Sequence, residues 1–119
     1  MTRAVLLAGG ETWTLLCAGH AGFAPNGPDV LCAGISALTI ALDERLRDLA
    51  ERRRLTGYRR DVKPGAVRLT AAGRDDVRGA FETAAAGLAA LAERYPGHLS
   101  MKRFERRPIH ERTHHPAAV

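Results

Sequence analysis

The 119-residue sequence has few aromatic residues, few cysteines and no long apolar run. Aromatic residues make up only 5% of the chain, so its core must consist mainly of Leu, Val, Ile and Ala. No apolar run reaches the roughly 18 residues that a membrane-spanning helix needs, and the apolar stretch at the N-terminus is too short for a signal peptide. With only two cysteines and no export signal, we expect a reduced, cytoplasmic protein that does not bind a membrane.

The sequence also lacks the patterns that hold nucleotides or metal ions. No GxGxxG or P-loop pattern is present. Cys17, His20 and Cys32 could supply zinc ligands, but they lack the paired CxxC or HxxxH spacing of zinc sites. A disulfide between Cys17 and Cys32 is disfavoured in a reducing compartment. We therefore predict neither a cofactor nor a metal ion.

The chain is basic, with 18 Lys and Arg against 13 Asp and Glu and a formal net charge of +5. Such a charge attracts anionic assemblies over long distances, although a solvated Arg-rich surface explains it at least as well. The scarcity of aromatic side chains argues against recognition of single-stranded RNA by base stacking. We therefore expect no direct nucleic-acid binding.

Hydrophobic periodicity predicts one α+β domain over residues 1–104, with a small, mostly antiparallel sheet and two helices in the order ββαββαβ. The first hairpin is predicted over 3–18 and the second over 55–70, and the last strand over 98–104. Residues 105–119 are polar and basic and are predicted to form a disordered tail.

Two amphipathic segments predict the helices. The first begins near Pro28, is apolar almost all round from Val30 to Leu42, and should therefore be a buried central helix. The second follows Gly73 and carries a stripe spaced by three or four residues: Val77, Phe81, Ala84, Leu88, Leu91 and Tyr95.

The strongest chemical signal is the pair His20 and Cys32. Cys32 follows the helix-start sequence Asn-Gly-Pro-Asp, so it should lie in the first helical turn, where free N–H groups and the helix dipole favour a thiolate. His20 lies in a Gly-flanked loop after Gly19 and could act as the base if that loop folds over the helix start. Taken alone, such a cysteine is more often a buried small hydrophobe, and such a histidine a surface residue.

Two more residues of this segment have alternative roles. Asp29 could orient His20, or it could simply complement the dipole at the helix start. Ser36 lies one turn after Cys32 and could hydrogen-bond active-site groups, or it could bond back to the Cys32 carbonyl. Backbone N–H groups at the helix start could form an oxyanion hole.

The segments Gly19-His20-Ala21 and Asp29-Val30-Leu31-Cys32-Ala33-Gly34-Ile35-Ser36 resemble the motif of the ribosomal-processing cysteine protease family, Prp. The resemblance extends over about residues 3–102. It implies that His20 and Cys32 form a catalytic dyad, with Gly19, Asp29 and Ser36 in supporting positions. It also implies a homodimeric endopeptidase that trims a short N-terminal extension from a ribosomal large-subunit protein. The alternative is a non-catalytic ribosome- or RNA-associated binding module, which the basic charge supports.

Overall fold

The computed structural model describes residues 1–19 and 29–106. In chain order these residues form β1 (Thr2–Gly9), β2 (Thr12–Ala18), α1 (Asp29–Glu51), β3 (Leu55–Lys63), β4 (Ala66–Gly73), α2 (Asp75–Arg94) and β5 (Leu99–Arg106). The predicted order ββαββαβ is confirmed. Both hairpins turn at a glycine in the left-handed region, Gly10 with φ +66 and Gly65 with φ +80, a conformation that favours glycine.

The five strands form one mixed sheet in the order β3-β4-β2-β1-β5. The pairs β1/β2, β2/β4 and β3/β4 are antiparallel, whereas β5 pairs with β1 in parallel. The prediction of a mostly antiparallel sheet is therefore confirmed. The parallel pair is possible because β5 follows α2, which carries the chain back to the same end of the sheet at which β1 begins.

The core lies between one face of the sheet and the two helices. Alternate strand residues point toward the helices and are fully buried, as in Leu6 of β1, Leu15 of β2 and Leu69 of β4. The predicted stripe of α2 faces them, and the rings of Trp13 and Phe81 stack with centroids 6.2 Å apart. No helix of the described residues covers the opposite face of the sheet, which we call the open face.

The prediction that α1 is buried on all sides is wrong. Leu31, Ile35 and Leu42 are buried, but Val30 is 64% exposed and Ile40 is 61% exposed. A helix that packs against a single sheet in two layers has an outer side, whatever the residues on that side are. Val30 and Ile40 therefore belong to the protein surface, and only the inner side of α1 contributes to the core.

The predicted start of the tail also shifts. Strand β5 runs on to Arg106, so Glu105 and Arg106 belong to the sheet and not to the predicted tail. Residues 107–119 lie outside the described part of the chain. No helix within that part is long and apolar enough to cross a membrane.

Candidate active site

Helix α1 is held against α2 by close contacts at two glycines. A β carbon on Gly34 would lie 3.1 Å from Cδ1 of Leu91, and one on Gly87 would lie 2.7 Å from Cδ2 of Leu38. These two contacts show that the helices run antiparallel, because residues early in α1 meet residues late in α2. The N-terminus of α1 therefore lies at the end of the molecule where α2 finishes.

The same end of the molecule holds the starts of β1 and β5. The backbone N–H of Thr2 donates a 2.9 Å hydrogen bond to the carbonyl of His98, and the N–H of His98 donates to the carbonyl of Tyr95. The turn between α2 and β5 is thus tied to the first strand. This end is framed by the start of α1, the turn after α2 and the first residues of β1.

Cys32 is the fourth residue of α1, in the helix's first turn, as predicted. Its neighbours Leu31 and Ile35 are only 2% and 1% exposed, so they anchor this turn in the core. The Cys32 side chain is itself half-buried. The first-turn N–H groups of a helix have no intrahelical partner, and the positive end of the helix dipole lies at this turn.

Cys17 occupies a different environment. It lies on β2 facing the helices, is 1% exposed, and burial raises the pKa of its thiol to about 11. At neutral pH this thiol is therefore protonated and inaccessible, which makes it a small core residue and not a nucleophile. Both cysteines are free thiols. Cys32 is thus the thiol that remains available for chemistry.

Gly19 fixes the end of β2. Its φ of +85 lies in the left-handed region, and a β carbon there would come within 2.8 Å of the carbonyl oxygen of Met1. Its N–H donates a 3.0 Å hydrogen bond to the carbonyl of Gly65 in the β3–β4 turn. Both the conformation and the space at this position require glycine.

The other predicted site residues are described only in part. His20 and the loop through Pro28 lie outside the described residues, so the pairing of His20 with Cys32 stays a prediction. Asp29 is the first residue of α1, but its side chain is likewise outside them, and its role stays a prediction. Ser36 is half-buried one turn after Cys32, and its carbonyl accepts a 3.0 Å hydrogen bond from the Thr39 hydroxyl.

A polar cluster that the sequence patterns did not predict joins α1 to the edge strand β3. The Tyr58 hydroxyl donates a 2.5 Å hydrogen bond to Oδ1 of Asp43, and Arg60 donates to both oxygens of the same carboxylate, the shortest bond being 2.8 Å. Burial raises the pKa of Asp43, but the hydrogen bonds from Arg60 and Tyr58 outweigh it and hold the pKa below its ordinary value. Burial and the Asp43 contact raise the pKa of Tyr58 to about 12.

A signal for this cluster was present in the sequence. Asp43 follows the buried Leu42 and precedes Leu46 by three residues, so it lies on the buried side of α1. A carboxylate at such a position needs a partner. Within residues 1–19 and 29–106, no group of three His, Cys, Asp or Glu side chains could hold a metal ion.

Comparison with known proteins identifies the family. The profile described as cysteine protease Prp matches residues 1–100 of the chain. The chain belongs to the Prp cysteine protease family. This confirms the resemblance that the motif around His20 and Cys32 indicated. The sequence has no significant match among curated proteins.

Solved structures share the fold. SMU.848 from Streptococcus mutans superposes with a TM-score of 0.68 at 24% identity, covering 89% of this chain and 96% of its own. The essential ribosomal processing protease Prp from S. aureus, in complex with a covalently linked product peptide, superposes with a TM-score of 0.66 at 20% identity. That match covers 87% of this chain and 99% of the S. aureus protein. The same S. aureus protease with a substrate peptide gives a TM-score of 0.63 at 18% identity over the same shares of the two chains.

Proposed function

We propose that the protein is a cytoplasmic cysteine endopeptidase that removes a short N-terminal extension from a ribosomal large-subunit protein. Cys32 is the nucleophile and His20 is the general base. The observation that carries this proposal is the contrast between the two thiols. Cys32 lies half-buried in the first turn of α1, whereas Cys17 is buried and its pKa is raised to about 11. Membership of the Prp family supports it.

The proposed reaction has two halves. His20 takes the thiol proton of Cys32, and the sulfur attacks the carbonyl carbon of the scissile peptide bond. The negative charge on the carbonyl oxygen is stabilised by backbone N–H groups of the first turn of α1. The carbon–nitrogen bond then breaks, His20 gives its proton to the leaving amine, and a thioester joins the peptide to Cys32. Water, activated by His20, hydrolyses that thioester and frees the thiol.

A covalent step of this kind agrees with the chemistry seen in a relative. The S. aureus protease has been solved with a covalently linked product peptide. That protein is named as a ribosomal processing protease, which is the reason for proposing a ribosomal protein as the substrate here.

The test uses the ribosomal large-subunit protein that is encoded in the same genome and carries an N-terminal extension. The enzyme is incubated with this protein, and the products are identified by mass spectrometry. We expect one cut near the N-terminus, made by the parent and by Cys17→Ala but not by Cys32→Ala. Cys17→Ala is the matched control because it removes the other thiol of the chain. Equal loss of cleavage in both variants, or loss in Cys17→Ala alone, would refute the assignment of the nucleophile.

We further propose that the protein is a homodimer that pairs through the outer side of α1. Small and apolar residues are exposed there at helical spacing: Val30, Ala33, Ala37, Ile40 and Ala41. Next to them an apolar groove of about 430 Å³ lies between α1 and α2, with Leu38, Ala80 and Ala84 among the residues that line it. Contiguous apolar surface of this kind commonly marks an interface between proteins.

Light scattering at micromolar concentration tests the dimer. We expect the mass of two chains for the parent and of one chain for Ile40→Glu, because a carboxylate would be buried without a partner in the interface. Val62→Glu is the matched control, since Val62 on β3 is similarly exposed at 51% and lies outside the proposed interface. A monomeric parent protein would rule out the dimer.

A further inference from the structure

The open face of the sheet concentrates the positive charge of the protein. Successive residues of a strand point to opposite faces, so Leu6 is fully buried against the helices and Leu7, 39% exposed, lies on the open face. The strand registers then place seven exposed charged residues on that face: Arg3, Arg59, Asp61, Lys63, Arg68, Lys102 and Arg106.

These seven residues account for the whole net charge of the chain. The open face holds six of the 18 basic residues and one of the 13 acidic residues. The rest of the chain carries twelve of each sign, so its formal charge is zero, and the +5 of the protein resides on this one surface. On the helical side several basic residues form short ion pairs, as Arg60 does with Asp43 and Arg103 with Glu82, whereas the one ion pair among the seven residues of the open face is the 4.0 Å contact of Lys63 with Asp61.

The arrangement of the basic residues is ordered by the sheet. One row across the strands reads Asp61, Arg68, Leu16, Val5 and Lys102, so an apolar centre separates two cations and the acidic Asp61 lies beside Arg68 at the β3 edge. Three strand spacings separate the two cations, which is about 14 Å. Next to Arg68 lies a depression of about 310 Å³ that Arg59, Asp61 and Thr70 also line.

The neighbouring row adds hydroxyl groups and an aromatic ring. It reads Thr70, Thr14, Leu7 and Phe104, and the two threonine hydroxyls lie 3.0 Å apart. Phe104 is 55% exposed and is the one exposed aromatic side chain among the described residues. It is in register with Leu7 and lies between Lys102 and Arg106 along β5.

We infer that the open face binds a single-stranded segment of RNA, with phosphates along the basic residues and a base stacked on Phe104. An uncovered sheet face with cations beside an exposed aromatic ring is a surface on which single strands bind. The choice of RNA over other polyanions rests on the proposed function, because a ribosomal substrate would be met beside ribosomal RNA. The low aromatic content of the chain limits base stacking to few positions, but it does not bear on where the cations lie.

With one stacking position, phosphate contacts dominate this binding, so it depends on salt and little on base sequence. The probe is a fluorescein-labelled 12-nucleotide uridine oligomer, titrated with the full chain and followed by fluorescence anisotropy at several salt concentrations. If four phosphates are neutralised, log K against log salt has a slope of about −2.8.

Two double variants distinguish the effect of cations on the open face from the effect of net charge. Arg68→Gln/Lys102→Gln removes two cations of the open face, and we expect affinity to fall on the order of tenfold and the slope to lessen by about 1.4. Arg47→Gln/Arg78→Gln is the matched control, because both arginines lie on helices and each forms a loose 3.6 Å ion pair. The control should bind within about twofold of the parent.

A second pair tests the aromatic ring without changing charge. Phe104→Ala should weaken binding by about five- to 150-fold, which corresponds to the roughly 1–3 kcal/mol measured for stacking of one base. Val62→Ala truncates an apolar side chain of similar exposure on the other face of the sheet and should leave RNA binding unchanged. Thermal melting confirms that each variant is folded.

The inference is overturned by any of three results: no RNA binding by the parent, equal weakening in both double variants, or binding to vesicles containing phosphatidylserine but not to RNA. The last result would assign the face to a lipid surface. All four variants should keep the peptidase activity of the parent. Loss of RNA binding with intact cleavage leaves the proposed function standing, and RNA binding without any cleavage refutes the proposed function alone.

Discussion

Gly34 of α1 packs directly against Leu91 of α2, at a distance that leaves no ordinary room for a β carbon. A β carbon on Gly34 would be 3.1 Å from Cδ1 of Leu91. Because Cys32 precedes Gly34 by two residues, this contact sets how closely the turn carrying the proposed nucleophile approaches the second helix. The space available for a β carbon differs among the helical glycines, so replacing each of them by alanine should change the free energy of unfolding by a different amount.

The three helical glycines predict an order of stabilities on replacement by alanine. Alanine is favoured over glycine within a helix by about 0.5–1 kcal/mol. Gly79 has nothing within 4 Å of the added carbon, so Gly79→Ala should realise that whole gain. Gly34→Ala should gain less, and Gly87→Ala should be the least stable, because its β carbon would lie 2.7 Å from Leu38.

Chemical denaturation of the three variants measures the free energies of unfolding. If Gly87→Ala proved as stable as Gly79→Ala, the close packing of α1 on α2 would be contradicted.

Asp43→Asn should destabilise the protein by about 1–3 kcal/mol at pH 7, because it weakens the part-buried hydrogen bonds from Tyr58 and Arg60 to a buried carboxylate. Asp48→Asn is the matched control on the same helix. Asp48 is 39% exposed and pairs with Arg45 at the surface, so its replacement should cost less than about 1 kcal/mol. Urea denaturation of both variants gives the comparison, and equal costs would contradict the structural role of the cluster.

The same carboxylate predicts a pH dependence. The pKa of Asp43 is lower in the folded protein than its ordinary value of 3.8, so its contribution to stability is present above about pH 4. That contribution is lost as the pH falls through the folded-state pKa. The difference in unfolding free energy between the parent and Asp43→Asn should therefore shrink below pH 4. A difference in unfolding free energy that stays constant down to pH 2 would contradict this prediction.

The order of the elements could be predicted because it depends on local pattern. Glycine turns, alternation in the strands and the stripe of α2 from Val77 to Leu88 each follow from residues close in sequence. Which side of α1 is buried could not be predicted in the same way, because the sequence does not distinguish an apolar residue that faces the sheet from one that faces solvent, such as Ile40. The pairing of β5 beside β1 joins residues nearly a hundred positions apart, and no local pattern encodes it.

The candidate active site likewise combines features that the local sequence predicts with features that depend on the tertiary structure. The location of Cys32 in the first helical turn follows from the local sequence Asn-Gly-Pro-Asp. The burial that excludes Cys17 depends on two helices that follow it in the chain, so its spacing from Cys32 could not reveal it. The Asp43 cluster requires that β3 lie beside α1, which is again a tertiary fact.

His20→Ala should lower kcat by about 100- to 10,000-fold, the usual contribution of a general base, and leave the melting temperature nearly unchanged. His98→Ala is the matched control because His98 lies in the turn between α2 and β5, at the end of the molecule where α1 begins. The described contacts of His98 are made by its backbone, which alanine preserves. We expect His98→Ala to stay within about threefold of the parent. A His20→Ala enzyme with nearly parental kcat would contradict the role of His20.

The most direct test of the central claim is to follow alkylation of Cys32 and peptidase activity in the same sample. Iodoacetamide is added near pH 7, each thiol is quantified by peptide mass spectrometry, and residual activity is measured at each time point. We predict that activity falls in proportion to the fraction of Cys32 that is alkylated while Cys17, buried and with its pKa raised to about 11, stays unmodified. Full activity in protein whose Cys32 is completely alkylated would contradict the account.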